Sequence, residues 1–336
     1  MNALITAPTL SIVVPACNEA AVLLDFYARL RRVMDELGES WEAVFVNDGS
    51  QDATLAIMEE LHRADPLITV ISLSRNFGKE IAITAGIDHA AGEAVIIIDA
   101  DLQDPPELIP ELVAGWRQGF DTVYAQRRQR QGETWLKQAT ARAFYRLMRQ
   151  LGHVRMPPNT GDFRLISRRV VQALGQMREH HRFMKGLFAW VGFPSKAVPY
   201  DRAPRQAGCS KWSYWKLWNL AIEGITGFTV MPLKLATYLG LVIAVLAAVY
   251  LLEVIARTLI FGNEVAGYPS LMAVVLFMGG AQLVTLGVIG EYLGRVFNET
   301  KQRPLYFVER HLRGAAVISA GRARSVMAET GETTAR

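Results

Sequence analysis

The sequence predicts an α/β fold built on a mostly parallel sheet, followed by two long apolar helices. Three observations carry that expectation. Short β-branched runs alternate with segments of helical periodicity through the first part of the chain. Acidic residues stand at the carboxyl ends of those runs, the edge at which open parallel sheets bind ligands. Two late blocks, Leu235 to Leu252 and Val265 to Gly290, run for 18 and 26 residues without a charge. Each is long enough to cross a ~30 Å hydrocarbon core as a helix.

Of the 336 residues, 51% are hydrophobic and 20% charged. Much of the apolar excess falls in the two late blocks, and buried core helices, the competing explanation, seldom exclude charge for so long. No apolar block opens the chain, so no secretory signal peptide is expected. Cys17 and Cys209 match no metal-site spacing and read as structural thiols of a reducing compartment. A net charge of +4 suits an anionic membrane face or an anionic substrate.

The first strand is Leu10 to Pro15. Asn18 is placed to cap the next helix, whose apolar residues Val22, Phe26, Leu30, Val33 and Leu37 recur at helical spacing. Trp41 to Val46 is a second strand ending in Asn47-Asp48-Gly49-Ser50, with Ser50 placed to cap a helix over Thr54 to His62. Ile68 to Leu73 is a third, followed by SRNFGKE (Ser74 to Glu80) and a helix to about Ala91. Ala94 to Ile98 then delivers Asp99 and Asp101 to the sheet edge, Pro105-Pro106 opens a helix ending before Gly119, and Asp121 to Ala125 is a fifth strand.

Gln126 to Arg155 is strongly basic, and Arg127 stands apart because it follows a strand at the same edge as the aspartates. Asn159 to Ser167 (NTGDFRLIS) places Asp162 in a glycine-containing turn before a short strand. Helices over Arg169 to Met177 and Met184 to Val191 and a strand over Ser195 to Val198 follow. Arg202 to Lys211 is a loop rich in cations. Trp212, Tyr214, Trp215 and Trp218, interleaved with Lys216, suggest a helix lying in a membrane interface. The expected domains are 1–210, an interface helix 211–230, two spans within 231–294, and a basic tail 295–336. Basic residues in that tail place it, with the N-terminal domain, in the cytoplasm.

Two carboxylates separated by one residue after a strand form a hard, oxygen-rich site. That suits Mg²⁺ or Mn²⁺ bridging a diphosphate. His180 and His181, the one histidine pair, have no third ligand at metal-site spacing and read as surface residues. Neither a GxGxxG after the first strand nor a GxxxxGK[ST] is present, which argues against dinucleotide dehydrogenases and P-loop NTPases.

SIVVPACNE (Ser11 to Glu19), VNDGSQDAT (Val46 to Thr54), SRNFGKE and DADLQDPPE together resemble family-2 glycosyltransferases of the GT-A, Rossmann-like fold. They are most similar to the polyprenyl-phosphate branch that includes dolichol-phosphate mannose synthase. NTGDFRL, RQAGCSKW and the paired late blocks resemble bactoprenol glucosyltransferases, which charge undecaprenyl phosphate with glucose. The resemblance covers about residues 10 to 312.

The resemblance implies that Pro15 and Glu19 line a nucleoside pocket, Asp48 meets the base and Lys79 lies near the diphosphate. Asp99 and Asp101 would hold Mg²⁺ or Mn²⁺, with Gln103 nearby, and Asp162 matches the family's proposed base. Arg127, Arg205, Ser210 and Lys211 would handle phosphates. Cys209 replaces the family's common glutamate in this turn, with no consequence expected for Lys211. The implied reaction is inverting hexose transfer to undecaprenyl phosphate, with glucose from UDP-glucose as the expected donor and GDP-mannose or another UDP-sugar as the alternative. It would take place at the bacterial cytoplasmic membrane, in a homo-oligomer that could be a tetramer, with no nucleic-acid partner. A processive polysaccharide synthase would carry more spans and a Gln-x-x-Arg-Trp element, both missing from this sequence. A catalytically silent scaffold would be expected to have lost the metal aspartates or the cationic loop.

Overall fold

In the computed structural model the described residues are 7–128, 157, 160–180, 182–201, 231–261 and 267–314. Three strands near the amino terminus, β1 (Leu10–Ala16), β2 (Trp41–Asn47) and β3 (Ile68–Leu73), are buried along their full length. β4 (Ala94–Ile97) is buried as well. Such continuous burial is what helices on both faces of a parallel sheet require, and it explains why these strands read as unbroken β-branched runs. They are joined by α1 (Leu23–Leu37), α2 (Thr54–Ala64) and α3 (Lys79–His89). After β4 a 3₁₀ turn over Pro106–Leu108 leads into α4 (Ile109–Arg117).

The second half adds β5 (Thr122–Arg127), β6 (Thr160–Ser167) and β7 (Ser195–Tyr200), with α5 (Arg168–Gln176) and α6 (Met184–Trp190) between the last two strands. The sheet has eight strands in the order β7-β5-β6-β4-β1-β2-β3-β8, where β8 is Val308–Leu312. β4, β1, β2 and β3 are mutually parallel, as are β5 and β7, whereas β6 runs antiparallel to both its neighbours and β8 to β3. The sheet is therefore mixed.

Three local expectations need correcting. Asp162 lies inside β6, where the partners on both sides override the turn suggested by Thr-Gly-Asp. Asn18 does not cap α1: it adopts a left-handed conformation (φ 58°), and its side chain accepts from Gln51 N at 2.8 Å instead. Ser50 does not cap α2 but accepts from Asn18 N at 3.1 Å, while Asp52 accepts from Thr54 N at 2.9 Å. In each case a partner across the loop outcompetes the local cap.

The basic tail supplies a strand. β8 zips onto β3, with Ser74 N donating to Phe307 O and Gly314 N to Thr69 Oγ1, both at 3.0 Å. Arg310 pairs with Glu59 at 2.7 Å, and Tyr306 OH donates to Asp88 at 2.9 Å.

The chain divides into two compact units, the second spanning 150–153 and 215–303. That unit contains α7 (Met231–Phe261) and α8 (Tyr268–Thr300), which contact each other. At 1.5 Å per residue they are about 46 and 50 Å long. Among the described residues, no helix is long and apolar enough to cross a membrane. Several side chains within each helix, those of Leu235 and Leu239 among them, lie outside the described set. The two expected spans are thus unconfirmed. The expected interface helix 211–230 and His181 lie outside the described residues.

Candidate active site

The register of β4 on β6 dictates the centre of the site. Ile97 pairs with Arg164 in this antiparallel ladder, so continuing it by two residues brings Asp99 alongside Asp162. Two carboxylates held together in this way demand a cation. Lys79, the first residue of α3, supplies it: its Nζ lies 2.6 Å from Asp99 Oδ2 and 2.6 Å from Asp162 Oδ2. The Lys79 side chain is 44% exposed, whereas Asp162 is 7% exposed, so the bridge runs from a buried carboxylate to an ammonium that solvent reaches.

Electrostatics separate the two acids. Burial pushes Asp99 up, with Asp162 adding to the effect and Lys79 opposing it. Burial also acts to raise Asp162, but Lys79, Lys185 and Arg164 outweigh it and hold its carboxyl below the usual carboxylate range. Burial opposes the charge on Lys79, yet Asp162 and Asp99 keep it protonated well above its ordinary value. Asp162 Oδ1 is buried and has no hydrogen-bond partner among the described residues.

Asp48 sits at the end of β2 and is almost wholly buried. Its Oδ1 accepts from Phe77 N at 2.7 Å and its Oδ2 from Gly78 N at 3.0 Å. Expected to meet a base, Asp48 visibly anchors the loop that aims Lys79. Gly49 (φ 62°) makes this possible, since a Cβ there would lie 2.4 Å from Asn76 N. Pro15 is buried in β1, and Glu19 N donates to Thr54 Oγ1 at 2.9 Å, tying the loops after β1 and β2 together.

Beyond Asp99 the chain turns sharply. Leu102, buried, takes a left-handed φ of 59°, a conformation that costs a leucine about 1–2 kcal/mol. Asp101 Oδ1 accepts from Gln103 N at 3.1 Å. Asp104, 1% exposed, accepts a hydrogen bond from Tyr200 OH, and Arg127 Nε donates to the same hydroxyl at 3.4 Å.

The donors Asp99 and Asp101 fit a hard divalent cation of the Mg²⁺ or Mn²⁺ kind, which commonly uses one or two carboxylates and completes its shell with substrate phosphates. Among the described residues no cluster of three or more His, Cys, Asp or Glu side chains could hold a metal by itself. An ion here would need the donor's oxygens.

Several residues of the site escaped the sequence reading. Glu80 accepts from Met184 N at 3.1 Å, and burial together with Asp162 pushes its carboxyl up to about 7. Arg164, buried, donates to Gly161 O at 2.8 Å and stacks 3.9 Å above the Phe188 ring. With Lys185 and Tyr124 it lines a cavity of about 210 Å³ against α6. Asp104, Glu80 and Arg164 were in view as members of DADLQDPPE, SRNFGKE and NTGDFRL without a role of their own, but Lys185 and Tyr200 carried no comparable signal. Of the expected residues, the structure brings together Lys79, Asp99 and Asp162, with Arg127 close enough for Asp162 to stabilise its charge. Arg205, Ser210 and Lys211 lie outside the described residues.

Residues 11–175 match Glycosyl transferase family 2, and residues 231–296 match the GtrB C-terminal hairpin. An uncharacterised glycosyltransferase of Synechocystis sp. is 55% identical over 299 residues, covering 89% of this chain and 94% of the relative. A bactoprenol glucosyl transferase of Shigella phage SfII is 48% identical over 305 residues, covering 91% and 99%. Among solved structures, glucosyl-3-phosphoglycerate synthase from Mycobacterium tuberculosis, in complex with Mn²⁺, UDP-glucose and phosphoglyceric acid, aligns with a TM-score of 0.44 at 21% identity. That alignment covers 65% of this chain and 78% of the other, and is too slight to carry ligands across. A mixed α/β sheet, paired carboxylates at its edge and relatives spanning nearly the whole chain lead to one conclusion: the protein is a glycosyltransferase of family 2 that carries a GtrB C-terminal hairpin.

Proposed function

We propose that the protein transfers glucose from UDP-glucose to undecaprenyl phosphate, with inversion, at the cytoplasmic face of a bacterial membrane. The observation that carries this reading is Lys79 shared between Asp99 and Asp162, because it links the carboxylate we assign to the donor diphosphate to the one we assign to the acceptor. The naming of the phage relative supports both the glucose and the polyprenyl acceptor.

Bound at Asp99 and Asp101, Mg²⁺ or Mn²⁺ supplies Lewis-acid neutralisation of the departing diphosphate. The chain's own residues do the rest. Pro15 and Glu19 border the nucleoside, Gln103 lies beside the diphosphate, and Asp48 holds the loop that presents Lys79. The acceptor, a phosphate monoester with a second pKa of about 6, is already mostly a dianion at neutral pH. Asp162 has little proton to remove and is held ionised by its cations, so it orients the acceptor and Lys79. Arg127, Arg205, Ser210 and Lys211 receive the lipid phosphate and offset the repulsion between two anions.

Membrane residence rests on the uncharged runs inside α7 and α8 and on their exposed apolar side chains, such as Leu259, 81% exposed, and Leu283, 71% exposed. Their basic flanks favour a cytoplasmic catalytic domain. Because β8 rejoins the sheet formed by β1 to β4, the chain between them crosses any bilayer an even number of times. Two helices give two crossings. The same exposed faces would serve a homo-oligomer, with a tetramer the assembly proposed.

The test is to incubate membranes containing the protein with radiolabelled UDP-glucose, GDP-mannose and other UDP-sugars plus undecaprenyl phosphate. Label from UDP-glucose should enter the lipid phase. Transfer from a different sugar nucleotide alone would overturn the donor assignment, and transfer from none would overturn the reaction.

A further inference from the structure

Three strand ends and one turn converge beside Asp162, and the residues they contribute are not explained by donor binding. Arg127 closes β5, Tyr200 closes β7 as its direct register partner, Gly161 lies at the start of β6, and Asp104 follows the turn at Leu102. The hydroxyl of Tyr200 donates to Asp104 Oδ1, which leaves its lone pairs to accept from Arg127 Nε at 3.4 Å. Asp104 and Tyr200 are 1% and 5% exposed. Burial and Asp104 both raise Tyr200, so the phenol keeps the proton it donates.

Gly161 completes the arrangement. A Cβ at this position would stand 3.3 Å from Arg127 Nη2 and 3.9 Å from Asp104 Oδ2, so the missing side chain gives the guanidinium room against the strand that carries Asp162. A long, flexible arginine is thereby gripped at Nε while its Nη end lies over Gly161, next door to Asp162.

We propose that Asp104 and Tyr200 are positioning residues, a clasp that fixes the Arg127 guanidinium for the phosphate of the lipid acceptor. The proposal rests on the acceptor role given to Arg127 above. It goes further in that the loop carrying Asp99 and Asp101 also carries the residue that orients the acceptor's cation. Donor loop and acceptor cation are set by one piece of chain. Pre-orienting the arginine matters because a free side chain loses rotamer freedom on binding, and a guanidinium binds an anion best when its fork is already aligned.

The experiment uses the full chain in detergent and measures equilibrium binding of radiolabelled undecaprenyl phosphate alongside the thermal unfolding temperature. Arg127→Ala should weaken lipid-phosphate binding about 10-fold or more, the effect of losing a charge-assisted contact. Tyr200→Phe, which keeps the ring and removes the hydroxyl, should weaken it about 3- to 10-fold with little change in unfolding temperature. Asp104→Asn should weaken it less than Asp104→Ala. In the Arg127→Ala background, Tyr200→Phe should add nothing. Unchanged binding in Arg127→Ala would remove the acceptor role of Arg127 and the clasp with it. A strong Arg127→Ala effect with no Tyr200→Phe effect, or losses that multiply in the double variant, would overturn the clasp and leave the acceptor role standing.

Discussion

The catalytic sheet and the C-terminal hairpin are both rich in apolar side chains, but they dispose of them in opposite ways. In the sheet Phe45, Leu165 and Ile96 are wholly buried, and Ser11 at the same depth is bonded to Glu42 at 2.6 Å. In the hairpin Leu246, Val249, Leu259 and Leu283 stand exposed along helices whose apolar surface follows no single face. One region makes its own apolar environment. On the reading proposed above, the other borrows one, from lipid or from other copies. Chemistry accordingly collects at the edge of the self-sufficient region, where the backbone can hold Lys79, Asp99 and Asp162 in register.

The largest effect should fall on that edge. Lys79→Met leaves Asp99 and Asp162 facing each other without their shared cation and removes a preorganised charge, so transfer should drop about 10²- to 10³-fold in a label-transfer assay. Asp162→Asn probes the same bridge from the acceptor side. If Asp162 orients, the loss should persist across the pH range, whereas a true base would be replaced by solvent and activity would recover fully at high pH.

The sharpest test of the contrast makes one substitution in both regions. Leu165→Ala in the core should cost about 2–5 kcal/mol through lost burial and a cavity, read from denaturant unfolding. Leu259→Ala on the hairpin should cost within about 0.5 kcal/mol in the same detergent. Equal costs would mean that Leu259 is packed in a core after all. Leu246→Arg should instead impair membrane insertion, by about 2.5–3.5 kcal/mol at a helix centre, as read by carbonate extraction, whereas Leu246→Ala should insert as wild type does.

The smallest effect concerns β8. The His311 and His89 rings lie 4.8 Å apart, with Arg313 close in charge to both and Asp88 close to His89. Burial lowers His311 to about 4, and it lowers His89 as well. A histidine depressed in this way binds its proton in the unfolded strand before it does in the folded one. Docking of β8 should therefore weaken as pH falls from the ordinary histidine value of about 6.5 towards that of folded His311. Faster amide exchange in Val308–Leu312, corrected for intrinsic rates, should report it, and His311→Gln should flatten the dependence.

How much of this was legible follows from how local each cause is. β1 to β4 were readable because burial on both faces writes an unbroken β-branched run into the sequence. β8 was not, since an edge strand of Val-Glu-Arg-His-Leu needs only one partner, β3, far away in the chain. The caps at Asn18 and Ser50 failed because each side chain had a better partner in the opposite loop. Within the site, Lys79, Asp99 and Asp162 were legible through their motifs. That they meet at one ammonium depends on the β4–β6 register, which motifs do not contain. Tyr200 was hidden because its strand runs two residues beyond the expected end at Val198.

The most direct test of the central claim compares wild type with Asp101→Ala in a purified system containing Mn²⁺, radiolabelled UDP-glucose and undecaprenyl phosphate. Both proteins should insert into membranes, but only wild type should move label into the organic phase. Comparable metal-dependent transfer by Asp101→Ala, or no lipid-phase label from wild type, would contradict the account.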